Sequence, residues 1–227
     1  MIASSRKIPY MSCVVLAAGR SSRMLATHGT HKLLAELDGK TVLAHTIETL
    51  RSLPFHEIIV VTGFQRDDVE QIADECKQTH LRSVFNSEYA SGMASSIRAG
   101  VNALSGDADG VMIALGDMPF VQRTTYIQLL NLFTEHSSFI HIPTRSGKRG
   151  NPVLFPIAYK QELISLSGDM GAKPVLIRHA DMVQEIEMDD EGILSDLDTS
   201  EDLTQAASFY RISLKSTSKM PYSRQSL

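Results

Sequence analysis

Three short apolar runs constrain this chain more than anything else in it. Cys13–Ala17, Glu57–Val61 and Val111–Leu115 are dominated by aliphatic residues and show no polar alternation. A strand of that kind is buried on both faces, as in a parallel sheet covered by helices on either side. Amphipathic stretches lie between the runs. Thr41 caps a helix expected to reach about Ser52, with Leu43, Ile47 and Leu50 on one face and Pro54 beyond its end. Residues 65–78 carry Val69, Ile72 and Ala73 on one side of a polar surface helix. Leu81–Phe85 reads as a further strand, Met93–Leu104 as a helix, and Arg123–Glu135 as a helix with a Tyr126, Leu129, Leu130, Phe133 stripe. Strand and helix alternate, which predicts an α/β protein with a mostly parallel sheet. A chain of 227 residues suits one such domain, placed at 11–209 between an N-terminal extension (1–10) and a tail (210–227).

From Phe139 the alternation stops. Phe139–Pro143 and Asn151–Phe155 flank a basic loop, Thr144–Gly150. The strands beside it either pair antiparallel, as a small addition to the sheet, or splay to receive a second substrate. Helical segments are expected at 157–166 and 171–179. Gln184–Met188 and Ile193–Asp198 read as closing strands turned at Asp190-Glu191-Gly192, and Ser200–Ala207 as a last helix. Arg211–Leu227 has four Lys/Arg, five Ser and no acid, so a disordered or loosely docked tail is expected.

Several classes of function fall away. A formal net charge of −4 gives no general affinity for nucleic acid. No apolar run approaches the ~18–20 residues of a membrane span. Arg6 and Lys7 precede no apolar core of a secretory signal. Two cysteines, Cys13 in a strand and Cys76 in a helix, fit a reduced, cytoplasmic protein better than a disulfide framework. The eight histidines show no HxxxH spacing.

In an open parallel sheet, ligands bind beyond the carboxyl ends of the strands. Four polar constellations stand at such ends: the Ala18–Lys32 loop, Thr62-Gly63, the Asn86–Gly92 loop and Gly116-Asp117. In the first, an apolar strand breaks into Ala18 and Gly19, then hydroxyls with Arg20 and Arg23. Small residues let backbone N–H groups approach an anion, and Lys32 adds charge, so a triphosphate site is expected. This turn is neither GxGxxG nor GxxxxGK[ST]. Asp117 would stand at the sheet rim beside the phosphates, where a hard carboxylate binds Mg²⁺; on residues alone it is equally a turn carboxylate before Pro119. Asp196 and Asp198 share one face of the expected last strand and offer a second carboxylate. Gly92-Met93-Ala94-Ser95-Ser96 opens a helix whose N–H groups suit a base, ribose or phosphate. Lys148, Arg149 and Lys173 are candidates for an anionic second substrate.

Taken together, these motifs resemble the MobA-like nucleotidyltransferase family, and within it the molybdenum cofactor cytidylyltransferases. LAAGRSSRM with Lys32 is similar to LAAGxSxRMGxxK, SGMASSI to GMxxSI/L, and GDMPFV to GDMPxV. RGNPVLF, GDMGAK and SDLDTSED resemble the later motifs GxPxLF, GDxGAR and DIDTPED. Leu25 replaces the usual Gly after Met24, and the spacing to Lys32 is lengthened through Ala26–His31. The resemblance implies a Rossmann-like three-layer α/β/α nucleotidyltransferase fold, Mg²⁺, a nucleoside triphosphate and a phosphate-bearing acceptor. An LAAG opening goes with CTP in this family, so the expected reaction is CMP transfer to molybdenum-loaded molybdopterin. The implied nucleotide residues are Leu16, Ala17, Ala18, Gly19, Arg20, Ser21, Gly63, Asn86, Gly92 and Ser96, with Arg23, Lys32 and Asp117 catalytic. Asp117 and Asp198 would hold Mg²⁺; Arg149, Asn151, Asp169 and Lys173 would face the acceptor. Alternatives stay open: GTP, another phosphate acceptor, or a non-catalytic protein delivering molybdenum cofactor to a molybdenum-dependent apoenzyme.

Overall fold

The structure, a computed structural model, describes residues 9–29, 31–76, 79–106, 108–197 and 202. At its centre lies β1 (Met11–Ala17), flanked in parallel by β4 (Glu57–Thr62) and β6 (Gly110–Leu115), with Val14 level with Ile59 on one side and Ile113 on the other. β5 (Leu81–Phe85) extends the sheet beyond β4, again in parallel. Alternate side chains of β1 enter opposite cores. Cys13, Val15 and Ala17 pack with α2 (Val42–Arg51), α3 (Arg66–Glu75) and α5 (Arg123–Glu135). Val14 and Ala18 pack with α4 (Met93–Asn102), α6 (Lys160–Ile164) and α7 (Lys173–Arg178). That two-sided burial is why the run shows no polar alternation, and the result is the expected three-layer α/β/α fold.

The other half of the sheet holds its antiparallel part. β9 (Val153–Pro156) pairs antiparallel with β6 and meets β7 (Ile140–Arg145) at His141↔Leu154. β8 (Lys148–Arg149) folds back on β7, and β10 (Val183–Glu187) closes the edge parallel to it, giving the order β10-β7-β9-β6-β1-β4-β5. A small hairpin, β2 (Glu36–Leu37) with β3 (Lys40–Thr41), stands apart. Thr41 caps α2 as expected, its hydroxyl accepting from the Ala44 N–H at 3.2 Å.

Three expectations change. The Ala18–Lys32 loop contains a short helix, α1 (Ser22–His28), whose Met24 is buried with Leu37, Val42 and Leu197. A single buried side chain in a polar stretch leaves no helical period to read. Lys32–Leu37 reads from the sequence as a short extended piece before the Asp38-Gly39 turn, but Lys32–Leu34 is a 3-10 turn. The closing strand expected at Ile193–Asp198 is not one among the described residues: Glu191–Leu194 makes a 3-10 turn, and Ser195–Leu197 follows outside any strand. Asp190 bends the chain there, its carboxylate accepting from the Gly192 N–H at 2.8 Å. Asp198, the Ser200–Ala207 helix apart from Asp202, and the tail lie outside the described residues. No helix among those described is long and apolar enough to cross a membrane.

His141, on β7, is fully buried. Burial, reinforced by nearby His136, lowers its pKa to about 4 from the ordinary 6.5. Its neutral ring therefore contributes stability that is complete above pH 6.5 and is lost as pH falls towards 4. His141→Leu is expected to flatten denaturant-unfolding stability over that window; an unchanged acid slope would remove His141 as the cause.

Candidate active site

The chain runs outward from β1 to β4 and β5, then returns to β6 on the other side of β1. The loops after β1 and β6 consequently diverge at one point and leave a crevice at the carboxyl ends. A cleft of about 690 Å³ lies there, lined by Leu16 to Arg20, Lys32, Tyr89, Gly92, Ser96 and Asp117 among others. Lys32 Nζ and Asp117 Oδ2 form an ion pair across it, their side chains 17% and 13% exposed. Asp117 is fixed by its turn: the Gly116 N–H donates to Leu16 O at 3.0 Å, and Thr46 Oγ1 donates to Gly116 O at 3.1 Å. Asp196, exposed at the end of the closing segment, lines the same cleft.

Two further features shape the walls. Gly92, with φ 108°, precedes α4, and a Cβ there would lie 2.6 Å from Gly168 O, a conformation and a contact only glycine allows. Gly100 lets α4 press onto β1, where a Cβ would meet Val14 Cγ1 at 2.3 Å. Arg20 lies over the Tyr89 ring, 5.7 Å from its centroid. The left-handed conformations in the opening loop fall on Ser21 (φ 51°) and Gly29 (φ 66°), not on Gly19.

Not every expected residue faces the cleft. Asn86 is 5% exposed and spends its side chain inside: Nδ2 donates to Ser95 Oγ (2.8 Å) and Ser96 Oγ (3.1 Å), and Oδ1 accepts from the Glu88 N–H. It holds the start of α4. Gly63 backs the opening loop, with Ala18 Cβ and Tyr89 Cβ where its own Cβ would be. The Ser21 hydroxyl is buried. Asp169 caps α4, its Oδ1 accepting from the Met93 N–H at 3.1 Å, and lines the cleft of Lys32 and Asp117 rather than the cavity that holds Arg149, Asn151 and Lys173. Arg149, Asn151 and Lys173 line a second cavity of about 620 Å³, which shares Leu16, Met93 and Leu115 with the first. Arg149 is paired there with Glu185, Nη2 to Oε1 2.7 Å. The Arg23 side chain and Asp198 lie outside what is described.

Tyr89 and His31 were not legible as site residues. Tyr89 sits in an Asn- and Gly-bounded loop with no pattern of its own; His31 gave one signal, its place directly before Lys32. As for a metal, Asp117 and Asp196 offer hard oxygen donors in one cleft. Among the described residues no three His, Cys, Asp or Glu gather to hold an ion. The donor set fits Mg²⁺ held by one or two carboxylates with the remaining oxygens from phosphates and water.

Residues 13–183 match the MobA-like NTP transferase domain. The chain belongs to the MobA-like NTP transferase family. Nicotine blue oxidoreductase of Paenarthrobacter nicotinovorans is 30% identical over 86% of this chain and 96% of that protein. Molybdenum cofactor cytidylyltransferase of Escherichia coli K12 is 25% identical over 88% and 97%. A solved nucleotidyl transferase from Methanothermobacter superposes with a TM-score of 0.75, at 25% identity over 90% of this chain and 99% of the other. In this MobA-like chain the cleft between the β1 and β6 loops shares Leu16, Met93 and Leu115 with a cavity that holds Arg149 and Lys173, and membership supports nucleotidyl transfer from an NTP to a phosphate acceptor.

Proposed function

We propose that this chain transfers CMP from CTP to the terminal phosphate of a molybdopterin-type acceptor, forming the cytosine dinucleotide and pyrophosphate. The observation that carries this reading is the Lys32–Asp117 pair, set in a cleft that shares the walls Leu16, Met93 and Leu115 with the Arg149–Asn151–Lys173 cavity. An acceptor phosphate oxygen is already ionised near neutral pH, so no strong base is needed. Its bond to the α-phosphorus forms as the α–β bridging bond breaks and the electron pair leaves with pyrophosphate. The protein must bring two anions together and stabilise charge on the leaving group. Backbone of Ala18–Arg20 and the Arg20 and Lys32 side chains suit the triphosphate; Lys32 would then exchange Asp117 for phosphate oxygens. Asp117 and Asp196 would hold Mg²⁺, with Asp198 as a further candidate, and Mg²⁺ when bound polarises phosphoryl oxygens. Met93 and Met170, 41% and 64% exposed beside the second cavity, offer the polarizable surface a flat heterocycle packs against.

The test is pyrophosphate release with Mg²⁺ and purified molybdenum cofactor. Release with CTP and not GTP is expected. Release with GTP alone would overturn the base assignment, and cofactor binding without release would favour a delivery role. A second reading, hydride transfer to a planar substrate, is favoured by the name of the 30% identical relative. Against it stands an opening turn that lacks the GxGxxG of dinucleotide sites. Oxidation of NADH or NADPH by a planar heterocycle, with no pyrophosphate release under any condition, would turn the assignment to that class.

A further inference from the structure

We propose that His31 is a positioning residue for nucleotide binding: its buried ring ties the phosphate-facing loop at Gly19 to the turn that presents Lys32. The inference rests on the nucleotidyltransferase reading above, and it concerns the stretch in which this chain departs from the family motif, Leu25–His31.

His31 is 1% exposed. Nε2 lies 2.9 Å from Gly19 O, and Nδ1 accepts from the Leu33 N–H at 3.3 Å. One neutral tautomer, with the proton on Nε2, satisfies both contacts. The ring stacks on Phe64 (centroids 5.6 Å apart, 21° between planes), and the Phe64 N–H donates to Ala18 O at 3.2 Å. His31 O in turn accepts from the Leu34 and Ala35 N–H groups at 3.0 and 3.1 Å. One residue therefore caps the 3-10 turn Lys32–Leu34 and holds the opening loop by its Gly19 carbonyl.

The consequence for binding follows from peptide geometry. In a trans peptide the carbonyl and the next N–H point in opposite directions. With Gly19 O directed at His31, the Arg20 N–H is directed away from it. Among the described residues, none apart from Gly19 and its two chain neighbours comes within 4 Å of where a Gly19 Cβ would be, which leaves room beside the loop for an anion. On the other side of His31, the capped turn fixes the backbone of Lys32, whose ammonium stands at Asp117. The longer excursion through α1 thus returns to the site at a fixed point.

Burial keeps the ring neutral below the ordinary imidazole range; Lys32 beside it acts in the same direction, while the Gly19 carbonyl and Asp68 of α3 favour the charged form. Protonation would place an Nδ1–H against the Leu33 N–H and undo the cap.

The experiment measures CTP affinity by calorimetry with Mg²⁺, and thermal stability, across pH 5–8 for the wild type, His31→Asn and His31→Leu. Asparagine at this cap keeps an acceptor for the Leu33 N–H but not the tether to Gly19. We expect His31→Asn to melt near the wild type yet bind CTP about three- to tenfold more weakly, as one lost interior hydrogen bond allows. His31→Leu should bind more weakly still. Wild-type affinity should fall as pH drops below the ordinary imidazole range, and both variants should show a shallower fall, the remainder coming from protonation of the CTP phosphates. If the wild type binds CTP and His31→Asn binds it equally well, with the same pH profile, the inference fails while the nucleotidyltransferase reading stands. If the wild type binds no nucleotide, both fail.

Discussion

Asp117→Ala is expected to lower the rate of pyrophosphate release by about a hundred- to a thousandfold, the scale on which preorganised electrostatic groups act, with the melting temperature nearly unchanged. The dissociation of the two effects follows from which atoms of Asp117 do what. Its backbone holds structure: Asp117 O accepts from the Leu197 N–H at 3.2 Å, and the preceding Gly116 is tied to Leu16 and Thr46. Alanine keeps all of those bonds. Its carboxylate faces the cleft, 13% exposed, against Lys32. Asp117→Asn keeps the size and removes the charge. It should lose nearly as much activity if charge at the phosphates is what matters. Near-normal turnover in either folded variant would remove Asp117 from the reaction.

How far the sequence reached follows from what kind of signal each element left. α5 appears at its expected bounds, Arg123–Glu135, because an apolar stripe runs along its length, and β5 at Leu81–Phe85, where the polar Asn86–Gly92 loop sets its end. The convergence of four polar turns on one edge was also legible, since parallel strands must end on the same side. What was hidden is tertiary. Asn86 and Asp169 have the chemistry of ligand-binding residues, but buried polar atoms and helix ends need partners first. Asn86 meets Ser95 and Ser96, and Asp169 meets the Met93 N–H. His31 was invisible as a tether because its partner, Gly19 O, is twelve residues away across a helix that left no period. Ile193 looked like a strand residue because it is apolar, and it is indeed fully buried, but from a 3-10 turn.

That turn carries the second large expectation. Asp190→Ala should destabilise the protein by about 2–4 kcal/mol, given three donors left without an acceptor in a buried site, and lower the melting temperature by about 5–15 °C. Asp190 is 3% exposed. One carboxylate oxygen accepts from the Gln122 N–H at 2.9 Å and from Thr125 Oγ1 at 2.6 Å; the other accepts from the Gly192 N–H at 2.8 Å. Gln122 is the N-cap of α5 and its own side chain makes no cap bond. The cap is therefore supplied from far along the chain, and a negative charge suits a helix start. Gly192 completes the junction, because a Cβ there would lie 2.2 Å from Phe120 O. The segment so clamped ends in Asp196 at the cleft and in Leu197, whose N–H is bonded to Asp117 O. Loosening it should cost activity as well as stability, whereas Asp117→Ala should cost activity alone. Asp190→Asn discriminates cap from charge: one of its two side-chain atoms becomes a donor facing donors, so it should recover little of the lost stability. Full recovery by asparagine, measured by denaturant unfolding, would show that a single acceptor suffices and that the three-way clamp is not what holds the closing segment.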